Sequence, residues 1–273
     1  MKLSRMKTAL AIAASAAVFA ALLFLIITAA QNAGSGKSLE ELRAADYALS
    51  PTLTATAQTG CLDTVENSFL SAKTGVNTGA QAISADISFN KDGVPVLAAR
   101  LEDADKETAV TLERVLAYLA DKKEVSMYLN IKQVTNIPAV EALAKKYEMT
   151  NRLFYIGADK HRAPFIINKS PSIGVYLEIE PEKSKLNDTD YCAALADSVM
   201  ALGVQGVNCD GERMSQTLID ILHEYGLRVS LYNAETEKDF YNLLALGADN
   251  IITKEPKTLI TVIKAIQAKN AMR

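Results

Sequence analysis

The feature that most constrains this chain is an alternation of strand-like and helix-like segments. Short apolar runs recur eight times: LTATA (53–57), AISADIS (82–88), SMYLNI (126–131), RLFYIGA (152–158), IGVYLEI (173–179), VQGVNC (204–209), LRVSLYN (227–233) and ADNIIT (248–253). Between most of them lie stretches with apolar spacing near 3.6, namely Thr111–Ala120, Pro138–Tyr147, Asp188–Leu202, Ser215–Tyr225 and Thr236–Leu246. Gly203, Gly226 and Gly247 each follow a helical stretch and precede a strand, where a left-handed helix cap is expected. Eight strand–helix units, and no GxGxxG after an early strand, predict a (β/α)8 TIM barrel rather than an open doubly wound sheet. The barrel is expected over residues 38–273, close to the ~250 residues typical of the fold. Pro256–Arg273 reads as its last helix, with Leu259, Ile260, Ile263 and Ile266 facing inward, and Leu39–Ala48 as a helix closing the barrel bottom or a stalk.

A second feature precedes the barrel. Ala9–Ala30 carry no charge and only Ser15 and Thr28 as polar residues, and at about 1.5 Å per residue they reach roughly 33 Å, enough for a single transmembrane helix. Lys2, Arg5 and Lys7 precede this run, placing residues 1–8 in the cytoplasm and the barrel outside the membrane. The rival is a signal segment cleaved near Thr28 and Ala30, which would make the protein secreted; the run exceeds the usual ~7–15-residue signal core. Residues 31–37, QNAGSGK, read as a flexible linker.

Composition then narrows the function. A net charge of −3 without a long basic run argues against a nucleic-acid partner. The 3 Cys have no metal-ligand or disulfide spacing, and the chain has only 2 His. In a TIM barrel the chemistry gathers at the carboxyl ends of the strands. In order, the residues there are Gln58, Asp86, Lys132, His161, Glu180, Asp210, Asn233 and Lys254.

The stretch AQTGCLDTVENSFLSAKTGVNTGAQAISADISFNKDGVPVLAARLED resembles the N-terminal signature of glycerophosphodiester phosphodiesterases, which read His-Arg-Gly, then Glu-Asn-Thr, Glu-x-Asp, Lys-Asp-Gly-Val-Pro-Val and His-Asp. VTLERVLAYL, LNIKQ and GLRVSLYNAETEKDFYNLLALGADNIITKEPKTL are similar to later family blocks, so the resemblance spans most of residues 52–260. It implies a phosphoric diester hydrolase of lipid metabolism, in which two histidines serve as acid and base and carboxylates hold a divalent cation. Carried over residue by residue, both histidine positions are substituted, by Gln58 and Ala99. Thr59 stands for the arginine, Arg100 for the aspartate, Ser84 for the first acidic residue of Glu-x-Asp, and Lys132 for the glutamate of the third barrel strand. Glu66 and Asp86 remain as a remnant metal pair, too few oxygens for a hard cation beyond weak Mg²⁺ or Ca²⁺ binding, so no cofactor is expected.

Other residues are candidates to take over these roles. His161 lies on the correct face, His223 sits within a helix, Glu178, Glu180 and Asp210 are candidates for a new metal cluster, and Cys61 adjoins the pocket without a histidine to activate it. The expectation is a catalytically inactive, membrane-anchored pseudoenzyme acting in ligand binding or protein interaction. Its expected ligand is a phosphate-bearing or other anionic small molecule held by Lys132, with Glu66, Asn67, Asp86, Tyr232, Asn233 and Lys254 around it. The alternatives are an active phosphodiesterase using non-standard residues and another hydrolase or lyase on the same barrel.

Overall fold

The computed structural model describes residues 37–273. The candidate transmembrane run 9–30 and most of the linker lie outside them. Among the described residues no helix is long and apolar enough to cross a membrane. The chain divides into two compact units, of which the second is Ala45–Arg273. The described part of the first is a short helix α1, Leu39–Ala44.

The second unit is a closed parallel barrel. Its eight staves are β1 (Thr54–Ala57), β2 (Ala82–Phe89), β5 (Ser126–Ile131), β6 (Leu153–Ala158), β7 (Gly174–Glu178), β8 (Gly206–Asp210), β9 (Arg228–Tyr232) and β10 (Asn250–Thr253). Each pairs in parallel with the next, and β1 closes the ring by pairing with both β10 and β2. All eight apolar runs thus became staves. Helices cover the outside: α2 (Phe69–Asn77), α4 (Leu112–Ala120), α5 (Ile137–Lys146), α6 (Ala163–Lys169), α7 (Thr189–Met200), α8 (Gln216–Glu224), α9 (Glu237–Ala245) and α10 (Pro256–Ala271). Burial on both faces explains why β2 is buried at every position instead of alternating.

The sequence did not announce one excursion. After β2 the KDG turn sends the chain back through β3 (Pro95–Leu97) and β4 (Val110–Thr111), both antiparallel, with the four-residue helix α3 (Leu101–Ala104) between them. Asn90 builds the turn: its side-chain oxygen accepts from the amides of Asp92 and Val94. Strands of two or three residues leave too little periodicity to read.

Two details of the helices meet or amend expectation. Gly203, Gly226 and Gly247 adopt φ of +70°, +73° and +86°, left-handed caps that a Cβ would disfavour. In α10 the buried stripe is Leu259, Val262, Ile263 and Ile266, while Ile260 is only half-buried. The segment just before β1 is tied to α10, since Lys269 Nζ donates to the Ala45 carbonyl and Asn270 Nδ2 to that of Tyr47.

Inside the ring, the amino-terminal half is filled by aromatic side chains. Tyr128, Phe154 and Tyr176 meet pairwise at centroid distances of 5.2–5.8 Å, with Ala82, Ile156 and Ile252 packed among them. Side chains of a strand alternate between faces, so the next inward positions sit one layer nearer the carboxyl end. They belong to Asn130, two residues after Tyr128, and Glu178, two after Tyr176, and there the packing opens into a cavity.

Candidate functional site

The cavity occupies about 430 Å³ at the carboxyl ends of the staves, and is lined by Gln58, Thr59, Glu66, Ser84, Asp86, Asn130, Gly157, Glu178, Asn208, Tyr232 and Asn233, with Ile156 and Ile252 beneath. This is the end of the barrel at which the sequence placed the site. Lys132, Lys254, Asn67 and Ala99 are not part of the wall itself; Asn67 and Ala99 line a neighbouring hollow that shares Glu66 with the cavity.

Asp86 is the best-held carboxylate. Its Oδ1 accepts from Asn130 Nδ2 at 2.8 Å and lies 3.0 Å from Lys132 Nζ. Its Oδ2 accepts from Asn67 Nδ2 at 2.9 Å, and its own amide donates back to Asn67 Oδ1. Asn67 reaches this position from a left-handed backbone, φ +56°, which asparagine tolerates better than most residues. The Lys132 amide donates to the Ile87 carbonyl directly after β5, which brings its ammonium against Asp86 on the neighbouring strand. The second remnant carboxylate is neutralised likewise, with Glu66 Oε1 accepting from Lys254 Nζ at 2.9 Å. That contact raises the Lys254 pKa, so the ammonium keeps its proton.

A divalent cation does not fit this arrangement. Asp86 already faces the Lys132 ammonium and Glu66 the Lys254 ammonium, and both would repel an incoming metal ion. Among the described residues no group of three His, Cys, Asp or Glu side chains converges. The three acidic residues considered for a new metal site are dispersed. Glu178 points into the cavity, Glu180 is exposed above an outer hollow, and Asp210 accepts from Asn233 Nδ2 at 2.8 Å.

On the opposite side, a buried row of neutral groups joined in one direction leads to the wall. Thr56 Oγ1 donates to Asn250 Oδ1 (2.6 Å), Asn250 Nδ2 to Ser230 Oγ (2.9 Å), Ser230 Oγ to Asn208 Oδ1 (2.9 Å), and Asn208 Nδ2 to Glu178 Oε2 (2.8 Å). Tyr232 supplies its hydroxyl to Glu178 Oε1. The chain crosses β1, β10, β9, β8 and β7, and every donor points toward Glu178. Burial pushes the Glu178 carboxyl above its ordinary value, while the bonds from Asn208 and Tyr232 pull the other way. Gly157, at φ +73°, leaves the room this wall needs, since a Cβ there would stand 2.1 Å from Asn130 Oδ1.

The histidines take no part. His161 is exposed in the turn after β6, where Asp159 accepts from its backbone amide rather than orienting its ring, and it lines a separate hollow beside α7. His223 lies at the other end of the barrel, its Nε2 2.9 Å from Asp249 Oδ2. Cys61 is buried and its thiol is raised by desolvation, which suits packing and not attack. Arg100 is exposed and spends its charge on Asp103 and Glu102. Asn130, Asn208 and the isolated role of Glu178 escaped the sequence reading. The signal that would find them is the two-residue inward alternation from Tyr128 to Asn130 and from Tyr176 to Glu178.

A sequence model of the glycerophosphoryl diester phosphodiesterase family matches residues 98–258, more than half of the chain. The chain belongs to this family. The match contains Ala99, Lys132, Tyr232, Asn233 and Lys254 and begins after Gln58, Glu66 and Asp86. No curated protein matches the chain. Solved structures of the family share the fold. A structure from Silicibacter pomeroyi assigned to it superposes with a TM-score of 0.68 at 16% identity, covering 84% of this chain and 97% of that one. A glycerophosphodiester phosphodiesterase of Parabacteroides distasonis gives 0.62 at 17%, covering 81% and 99%. A phosphodiesterase of Oleispira antarctica, solved with its product sn-glycerol-3-phosphate, gives 0.65 at 14%, covering 77% and 96%. Such low identities carry the fold of the family barrel and no more.

Proposed function

We propose that this family member binds a small molecule at its barrel mouth without hydrolysing it, and that residues 9–30 hold the barrel on the outer side of the cytoplasmic membrane. One observation carries the reading of the mouth: the two carboxylates left from the metal set, Asp86 and Glu66, each receive a lysine ammonium, from Lys132 and Lys254. An ammonium there neutralises the carboxylate but has no open coordination position with which to activate water or grip a phosphoryl oxygen. Gln58 and Ala99, at the positions the resemblance gives to histidines, exchange no protons near neutral pH. Anchoring rests on the uncharged run and on the positive residues before it.

The anionic ligand expected from sequence loses its main support, because Lys132, Lys254 and Arg100 are all engaged by carboxylates. A competing reading, hydrolysis by non-standard residues, draws on Glu178, a cavity carboxyl raised by burial beside the Tyr232 hydroxyl. The test is release of glycerol phosphate from a glycerophosphodiester by the full chain over a series of Mg²⁺ and Ca²⁺ concentrations. No turnover above background is expected. Metal-dependent turnover abolished by Asp86→Ala would overturn the binding reading. Fractionation with protease accessibility tests the anchor; a barrel that is digested only after the membrane is opened would contradict the topology.

A further inference from the structure

The cavity wall carries three carboxylates, and two of them have a lysine. Glu178 forms no ion pair with any described residue; its neighbours are the Tyr232 hydroxyl, the Asn208 amide and the Gly157 backbone amide, all neutral donors. A carboxylate withdrawn from water and held only by dipoles is a standing attraction for a cation. The buried chain from Thr56 to Asn208 strengthens this, since its donors all point at Glu178 and stabilise its charged form.

A second, independent feature lies on the β2 side of the cavity. Ser84 is 8% exposed, lines the wall, and its hydroxyl has no hydrogen-bond partner among the described residues. The Gln58 side-chain amide, also on the wall, has none either. A cavity-facing hydroxyl and an amide that both donates and accepts are matched by a ligand hydroxyl, which also does both. An anion would be repelled by the Glu178 carboxylate.

Resting on the binding reading above, we propose that the cavity receives a small amino alcohol, with its primary ammonium against Glu178 and a hydroxyl between Ser84 and Gln58. A primary ammonium suits the site better than a quaternary one, because its three N–H groups can reach a carboxylate and, among the described residues, Tyr232 is the only aromatic ring on the wall, too little for a cage.

The test is calorimetric titration of the full chain in detergent micelles with 2-amino-1,3-propanediol, glycerol, propylamine and sn-glycerol 3-phosphate. The aminodiol is expected to bind saturably, and the three others at least about tenfold more weakly, because each lacks one half of the match or carries the wrong charge. Glu178→Gln, whose amide can still accept from Asn208 and donate to Tyr232, is expected to lower aminodiol affinity at least about tenfold with the melting temperature retained. Ser84→Ala is expected to shrink the preference for the aminodiol over propylamine. No saturable aminodiol binding up to roughly 10 mM, glycerol or glycerol phosphate binding as tightly as the aminodiol, or unchanged affinity in Glu178→Gln would each overturn the proposal. The comparison of ligands on the unaltered protein decides even if a variant fails to fold. Phosphodiester turnover accompanied by aminodiol binding would sink the non-hydrolytic reading alone, and absence of both would sink this proposal alone.

Discussion

The two walls of the barrel mouth are built on different principles. On the β1–β2–β5 side charges face charges: Asp86 with Lys132, Glu66 with Lys254. From β7 round to β10 and β1 runs a relay of neutral amides and hydroxyls, mostly buried behind the wall, that ends on Glu178. The first wall is where the family resemblance puts the metal and its chemistry, and each of its two carboxylates is paired with a lysine ammonium. The second wall is an ordinary barrel interior made polar, with each buried group satisfied. On the proposed reading, two lysines at the same strand ends stand in for a cation, and the far wall is where a ligand is recognised.

This contrast is open to attack by mutation. The largest effect belongs to Asp86→Ala, which strands the Asn67 and Asn130 amides as well as Lys132; with the ammonium 35% exposed, a cost of about 2–3 kcal/mol is expected, or roughly 5–10 °C in melting temperature. A smaller loss would mean the charged wall is replaceable by water. Next comes Asn208→Leu on the neutral wall, leaving the Ser230 hydroxyl and Glu178 each short of one partner in the buried relay, for about 1–2 kcal/mol by chemical denaturation. Should this exceed the Asp86 effect, the relay and not the charged wall is the structural centre of the mouth.

Paired charge at the closed end provides a control with a pH signature. The Asp249 carboxyl, although desolvation opposes this, is held below its ordinary value of 3.8 by bonds from Ser50, Val229, His223 and Thr52. A depressed carboxylate stabilises fully above that ordinary value, and its contribution is lost as pH falls through the lower folded value. Asp249→Asn is therefore expected to melt lower than the unaltered protein at pH 6, with the gap closing as pH falls below 3.8; a gap that is constant with pH would refute ionic holding. Lys123→Ala marks the floor of the scale. Its pair with Glu148 is exposed on both sides, and its loss is expected to shift stability by less than about 0.5 kcal/mol in the same denaturation experiment.

The fold was legible because apolar runs and caps are local signals. All eight staves fell on their runs, and SMYLNI matches β5 residue for residue. What the sequence withheld was pairing. Lys132 read as a lone positive charge at a strand end, since nothing in LNIKQ says that Asp86 lies beside it on the neighbouring strand, in register with Asn130. Asn208, Ser230 and Asn250 read as unremarkable polar residues within strands; their relay exists only once β8, β9 and β10 lie side by side. Helix α6 and the strands β3 and β4 were too short for periodicity to show.

The lysines on Asp86 and Glu66 carry a consequence for how this protein meets its surroundings. A metal ion is a visitor, whose occupancy follows its concentration outside and which a chelator removes. Lys132 and Lys254 are synthesised with the chain, one of each per molecule, and remain in place at any mineral content of the medium. On the proposed non-hydrolytic reading, the positive charge at the barrel mouth is supplied by the gene and not by the environment.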